Sequence, residues 1–441
     1  LKILLVTPEY PPDIGGGILR YCRDLASGLR AEGCHVDVLK GSAFTHGAAP
    51  YSADGVAVTS LESVRYAKWL SQFRHFELFP ELRRHLAAAF ALHEQANEGQ
   101  DYDAVEVTDW GMLFLPWVLS ARSRVLVQLH GSSGQISARE PVSGREVEGA
   151  TTLLLERSAL SKAPVLCTYS RSNAAWWQSM LDANVEYLPP PLTPPADSGA
   201  PAALGDHWLA VGRIQLWKGP QVACEAWRAL GADAPLLHWI GRDTRHGETG
   251  LSTDAWLTRD YADTWRRCVT PLGGFPPAEV YQRMLCARAI VVPSLWDTFN
   301  LVATEGMALG KVVVVSDGAG VAGLIECGVN GFTFPKGDSS ALAKVVRQVD
   351  EMSESQREEI GQRAAHTARY LLEPPTHARA KLNLLRDLPV RREIGELQWM
   401  NDVLFPSTRY GEMAFLDALP LKGIAKYSLQ RLRNKILRKG T

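Results

Sequence analysis

The segment from Leu188 to Asp206, LPPPLTPPADSGAPAALGD, constrains the fold of this chain more than any other stretch. It is too rich in proline, glycine and alanine to form a core element and reads as a linker. On either side of it short apolar runs alternate with amphipathic segments. Lys2–Thr7, Val36–Leu39, Asp103–Thr108, Arg124–Leu129 and Val165–Thr168 read as buried strands before it; Trp208–Val211, Leu236–Ile240, Val269–Gly274 and Ala289–Val292 do so after it. Strands that alternate with helices build a parallel sheet with helices on its faces. A chain of 441 residues also exceeds what one core normally organises, and 46% hydrophobic residues suffice for two. The expected architecture is α/β, with two doubly wound, Rossmann-like units at residues 1–187 and 207–372, a linker at 188–206 and an extension at 373–441.

Open α/β sheets bind ligands beyond the carboxyl ends of their strands. Four such places carry chemistry. Gly15, Gly16 and Gly17 precede a helix with Leu19, Leu25 and Leu29 inward that ends at Gly33; three glycines let the backbone approach a diphosphate. His130 follows the strand Arg124–Leu129. Arg213 and Lys218 follow Trp208–Val211. Asp297 and Glu305, separated by seven residues, follow Ala289–Val292, with Glu305 expected to open the helix that carries Met307 and Ala308. A helix start offers free N–H groups and a positive dipole end. Asp297 to Glu305 therefore reads as a cradle for a nucleotide-sugar. The plainer alternative is that Asp297 caps a helix and Glu305 complements its dipole.

The stretch PSLWDTFNLVATEGMALGKVVVVSDGAGVAGLIECGVNGF resembles the signature of retaining glycosyltransferases of family 4, which have the GT-B fold. Asp297 stands where the family has glutamate and Asn300 where it has glycine, whereas Glu305, Gly310, Gly318, Gly320, Glu326, Asn330 and Gly331 keep its pattern. The resemblance implies that the glycine loop closes over the donor phosphates, that His130 lies beside the transferred sugar, and that Arg213 and Lys218 clamp the leaving diphosphate. It implies further that Glu305 holds the ribose and Asp297 the sugar hydroxyls. Gly241, Leu272, Phe299, Asn300, Leu301 and Val302 complete the donor-binding set, the segment around Leu272 through backbone contacts to the base. The last helices are expected to cross back to the first unit, and residues from Pro389 to Thr441 exceed what the resemblance covers.

The same resemblance implies a retaining, metal-independent transfer with no cofactor beyond the nucleotide-diphosphate sugar as co-substrate, because the two cations do a metal's electrostatic work. The expected acceptor is a lipid-linked, polysaccharide or other glycan in envelope polysaccharide or lipopolysaccharide synthesis. Two alternatives stay open: a sugar-phosphate epimerase or phosphorylase of the same architecture, and a catalytically weak assembly partner, which the Asp297 and Asn300 departures motivate.

The formal net charge of −1 gives no reason to expect nucleic acid as a partner, and most of the seven cysteines, which form no C-x-x-C pair, read as small buried hydrophobes. No apolar run approaches the ~18 residues of a membrane span, and no signal peptide precedes the first strand, so a cytoplasmic location is expected. The tail qualifies this. LKGIAKYSLQRLRNKILRKGT, residues 421–441, is basic without an acidic residue, and its apolar residues recur at helical spacing. It reads either as a peripheral anchor on an anionic membrane face or as a helix packed on the protein. The aromatics between Trp69 and Leu82 read as core or as helices lining the acceptor side.

Overall fold

In a computed structural model of the chain, residues 1–13, 15–120, 123–140, 142–193, 205–389, 398–406 and 421–437 are described. The linker residues 194–204, the segment 407–420, and Arg438 and Lys439 of the basic tail lie outside them.

The first sheet contains β1 (Lys2–Thr7), β2 (His35–Lys40), β3 (Tyr51–Ala53), β4 (Val56–Ser60), β5 (Ala104–Thr108), β6 (Val125–Leu129), β7 (Val165–Thr168) and β8 (Val185–Tyr187), in the order β3-β4-β2-β1-β5-β6-β7-β8. Its pairs are parallel apart from β3–β4. That hairpin precedes the aromatic stretch read as core or helical, over which the helices Ser63–Gln72 and Pro80–Gln95 run. Asp54 and Gly55 both take positive φ, the two-residue turn that favours an antiparallel return.

The second sheet contains β9 (His207–Val211), β10 (Leu236–Ile240), β11 (Val269–Gly273), β12 (Ala289–Val292), β13 (Val312–Ser316) and β14 (Phe332–Phe334), in the order β11-β10-β9-β12-β13-β14, all parallel. Strand order reverses at β1/β5 in one sheet and at β9/β12 in the other. These are the switch points where crevices open.

Phe73, Phe76, Phe79 and Leu82 are buried in the first unit's core, whereas Leu78 faces solvent. A second core runs without a break from Tyr21 and Leu25 through Tyr169 to Phe299, Met307, Leu382 and Leu385. It joins both sheets to the helix Pro374–Arg386, which crosses back onto the helix Gly17–Ala31. The two helices lie so close that a Cβ on Gly28 would stand 2.8 Å from Ala378 Cβ. The tail forms a helix over Leu421–Leu437 with Tyr427, Leu429 and Leu432 exposed, so these apolar groups do not pack on the protein.

Candidate active site

The loop after β1 is folded onto Glu9. Its carboxylate accepts the Gly16 N–H at 2.8 Å, and a Cβ on Gly15 would lie 2.5 Å from the carboxyl carbon, so a larger residue there would displace the Glu9 carboxylate. Gly17 faces Leu301, 3.4 Å from where its Cβ would be, so the glycine loop of one unit meets a helix start of the other. Leu301 and Val302 are half-buried beside it.

That helix spans Leu301–Ala308 and is capped by Asn300, whose side-chain oxygen accepts the Ala303 N–H at 3.0 Å. Asn300 has φ +88°, a left-handed conformation that glycine adopts freely and asparagine tolerates better than most residues. Two readings change here. Glu305 sits in the second turn and does not open the helix, and Asn300, not Asp297, is the cap. Glu305, buried, pairs with Arg20 of the glycine-loop helix. Asp297 pairs with Lys218, and Asn300 Nδ2 donates to the same carboxylate oxygen at 2.9 Å. Arg213 is exposed nearby, with Glu9, Asp297 and Glu140 as the carboxylates that act on it.

His130 arrives from the first sheet. Tyr169 Oη lies 2.7 Å from its Nδ1, and Thr298 Oγ1 of the second unit donates to its carbonyl at 2.9 Å. Burial, reinforced by the Lys381 cation, pushes the imidazole pKa down to about 3, which keeps it neutral. Asp109 accepts the backbone N–H groups of His130 and Gly131 at 2.8 and 3.2 Å. Glu156 accepts Ser132 Oγ at 2.6 Å and the Gly134 N–H at 2.9 Å. Burial outweighs those hydrogen bonds and raises Asp109 to about 7 and Glu156 to about 8.

The remaining candidates are mixed. A Cβ on Gly241 would strike Gly212 O, so its smallness serves the packing of two neighbouring strand ends. Leu272 is half-buried in β11, and Phe299 is a core residue whose ring lies 6.4 Å from Tyr169 and whose carbonyl accepts the Val321 N–H at 2.9 Å. Glu9, Asp109, Trp296 and Lys381 have no role that the sequence pattern announces. Asp109 was findable, since it follows a buried strand directly. Trp296 was not: its ring stacks under Arg139, 4.0 Å from the guanidinium carbon, a contact between the units that leaves no local signal. The D-x-D triplet Asp101-Tyr102-Asp103 lies at the amino end of β5, away from the crevice, where Asp103 accepts the Lys2 N–H at 2.8 Å. Together the crevice offers two cations and a helix start for a diphosphate, and carboxylates for hydroxyl groups.

Residues 205–351 match the family described as Glycosyl transferases group 1, and residues 16–191 that described as Glycosyl transferase 4-like domain. The chain is 25% identical over 431 residues to D-inositol 3-phosphate glycosyltransferase of Corynebacterium jeikeium, covering 89% of this chain and 97% of the relative. It is 25% identical over 386 residues to glycogen synthase of Mycobacterium tuberculosis, with 81% and 88% covered. Sucrose-phosphate synthase of Thermosynechococcus elongatus has a similar structure, with a TM-score of 0.67 at 20% identity over 88% of this chain and 98% of that one. The HepE protein of Anabaena, in complex with UDP and glucose, gives a TM-score of 0.61 at 17% identity over 88% and 100%. These likenesses show the GT-B fold.

Proposed function

Because the chain is a glycosyltransferase of the GT-B type, we propose that it is a retaining enzyme of family 4 that transfers a sugar from a nucleotide-diphosphate donor to a glycan or lipid-linked acceptor in envelope glycan synthesis. The observation that carries this reading is the meeting of Arg213, Lys218, Asp297 and the start of the helix Leu301–Ala308 where strand order reverses. In the donor complex the diphosphate lies along that helix start, and Lys218 exchanges Asp297 for phosphate oxygen. Asp297 then accepts sugar hydroxyls. Glu305 holds the ribose with the oxygen that Arg20 does not occupy.

Negative charge grows on the diphosphate as the glycosidic bond breaks, so hydrogen bonds from Arg213 and Lys218 strengthen in the transition state. A charge-assisted hydrogen bond is worth roughly 1.5–3 kcal/mol, and two of them supply about two to four powers of ten in rate. The cations meet this charge without a divalent metal. The acceptor attacks from the face the diphosphate leaves, and the departing phosphate oxygen takes the acceptor's proton, which retains configuration with no covalent nucleophile. His130, neutral, stands beside the sugar as a hydrogen-bonding group that adds no charge.

Among the described residues no helix is long and apolar enough to cross a membrane. The exposed apolar groups of the helix Leu421–Leu437, set among Lys422, Lys426, Arg431 and Arg433, support docking on the anionic inner face of the cell membrane.

A panel of uridine, guanosine and adenosine diphosphates tests the reading. One of them should raise Tm by several degrees at concentrations well above its Kd, and the matching nucleotide-sugar should be hydrolysed or transferred. A chain that binds none of them does not use a nucleotide-sugar from this set.

A further inference from the structure

We propose that Lys381, on the helix that crosses back from the second unit, is a positioning residue for His130, acting through Glu106, Gln128 and Tyr21. The proposal rests on the reading that His130 lies beside the transferred sugar.

Lys381 is fully buried. Its Nζ donates to Gln128 Oε1 at 2.7 Å and stands 3.1 Å from Glu106 Oε2 and 3.6 Å from Cys167 Sγ. These partners come from three adjacent strands, β5, β6 and β7, whose register pairs Gln128 with Cys167. Side chains alternate between the faces of a strand. Gln128 and His130 therefore share a face, as do Cys167 and Tyr169, and the polar row that receives Lys381 lies one step below the row that holds His130 and Tyr169.

Tyr21 connects the two rows. Its hydroxyl donates to Glu106 Oε1 at 2.8 Å, and its ring meets His130 and Tyr169 edge-on, with centroids 5.2 and 5.1 Å away. His377, one turn before Lys381, flanks the same ring and hydrogen-bonds Pro189 O at 2.7 Å. Tyr21 also directly follows Arg20, the partner of Glu305. One buried ammonium thus fixes the tyrosine on which the His130 ring rests and anchors the helix behind the glycine loop.

A buried ion pair gains little stability over apolar groups of the same shape, because both charges must be stripped of water. What this pair gives is geometry: Glu106 can face the Tyr21 hydroxyl in one arrangement only while Lys381 holds its other oxygen.

A mutant cycle on the full chain tests this. Lys381→Met is made together with Glu106→Gln, so that no charge is left buried alone. Tyr21→Phe, which removes one oxygen, carries the test if the double variant does not fold. Turnover is read as nucleoside diphosphate released from UDP-glucose, ADP-glucose or GDP-glucose, whichever the wild type uses. Each variant should lower kcat ~10-fold with donor KM within ~2-fold, and neither should lower it further in a His130→Ala background. In ¹⁵N-histidine spectra the His130 ring signals should move in Tyr21→Phe. Multiplicative losses in the His130→Ala background, or unmoved ring signals, overturn the proposal. If His130→Ala alone leaves turnover at the wild-type level, the reading of His130 at the sugar fails, and the proposal with it. That outcome is distinct from a His130→Ala loss that combines multiplicatively with the others.

Discussion

Lys218 and Asp297 form an ion pair between the loop after β9 and the loop after β12, and Asn300 Nδ2 holds the same carboxylate oxygen at 2.9 Å. In the donor complex proposed above, a phosphate that takes Lys218 frees Asp297 at the same moment, so that occupation of one subsite would prepare the other.

Replacing Arg213 or Lys218 with alanine should therefore cost more in turnover than in donor affinity, since the charge they meet grows along the reaction. Steady-state kinetics with the true donor should show kcat falling ~10- to 100-fold per residue. Equal losses in kcat and donor affinity would make them plain binding residues.

The two carboxylates should separate in kinetics. Glu305→Ala is expected to weaken nucleoside diphosphate binding, and Asp297→Ala to lower kcat with the nucleotide affinity kept. Calorimetry with the diphosphate and kinetics with the sugar donor measure the two effects. Wild-type transfer by both variants would show that neither carboxylate serves the donor.

Asn300 should tolerate glycine and resist alanine. Its left-handed backbone suits both asparagine and glycine, and glycine caps a helix at a loss of only a few tenths of a kcal/mol. Asn300→Ala loses the Ala303 hydrogen bond and strains the backbone, for a loss of about 2 kcal/mol in denaturant unfolding. An alanine variant as stable as the glycine one would contradict this.

Burial raises Glu156 to about 8 and Asp109 to about 7, against ~4.3 and ~3.9 in an unfolded chain. Over the window between those values the folded state binds more protons than the unfolded one, so stability should fall as pH rises from ~4 to ~8. Glu156→Gln keeps an oxygen for Ser132 and Gly134 and loses the titration. Its Tm should exceed the wild type's at pH 8, and the gap should close towards pH 5. Parallel Tm curves for the two proteins would rule Glu156 out as a source of the pH dependence.

Sedimentation with vesicles tests the tail. Binding should need anionic lipid, weaken with salt and vanish when residues 421–441 are removed. A truncated chain that binds as well as the full one, or a full chain that does not bind, points to a soluble acceptor.

The sequence by itself determined the two parallel sheets, the glycine loop and the placing of Asp297 and Glu305 beyond a strand. Apolar runs, turn residues and caps act over a few neighbouring residues, through backbone sterics and the period of side-chain burial. Even there, local signals missed the β3–β4 return and misplaced Glu305 by a turn, because Asn300 starts the helix earlier than the carboxylate pattern indicates. Only the tertiary structure decided which charges meet. Lys218 and Asp297 are 79 residues apart, Lys381 and Gln128 are 253 apart, and Arg20 and Glu305 are 285 apart. Such pairs are set by which strands become neighbours in a sheet and by how helices dock on sheets formed elsewhere in the chain. The same packing excludes water from Asp109, Glu156 and Lys381, and that exclusion, which no residue carries in its own neighbourhood of sequence, sets which of them are charged beside the crevice.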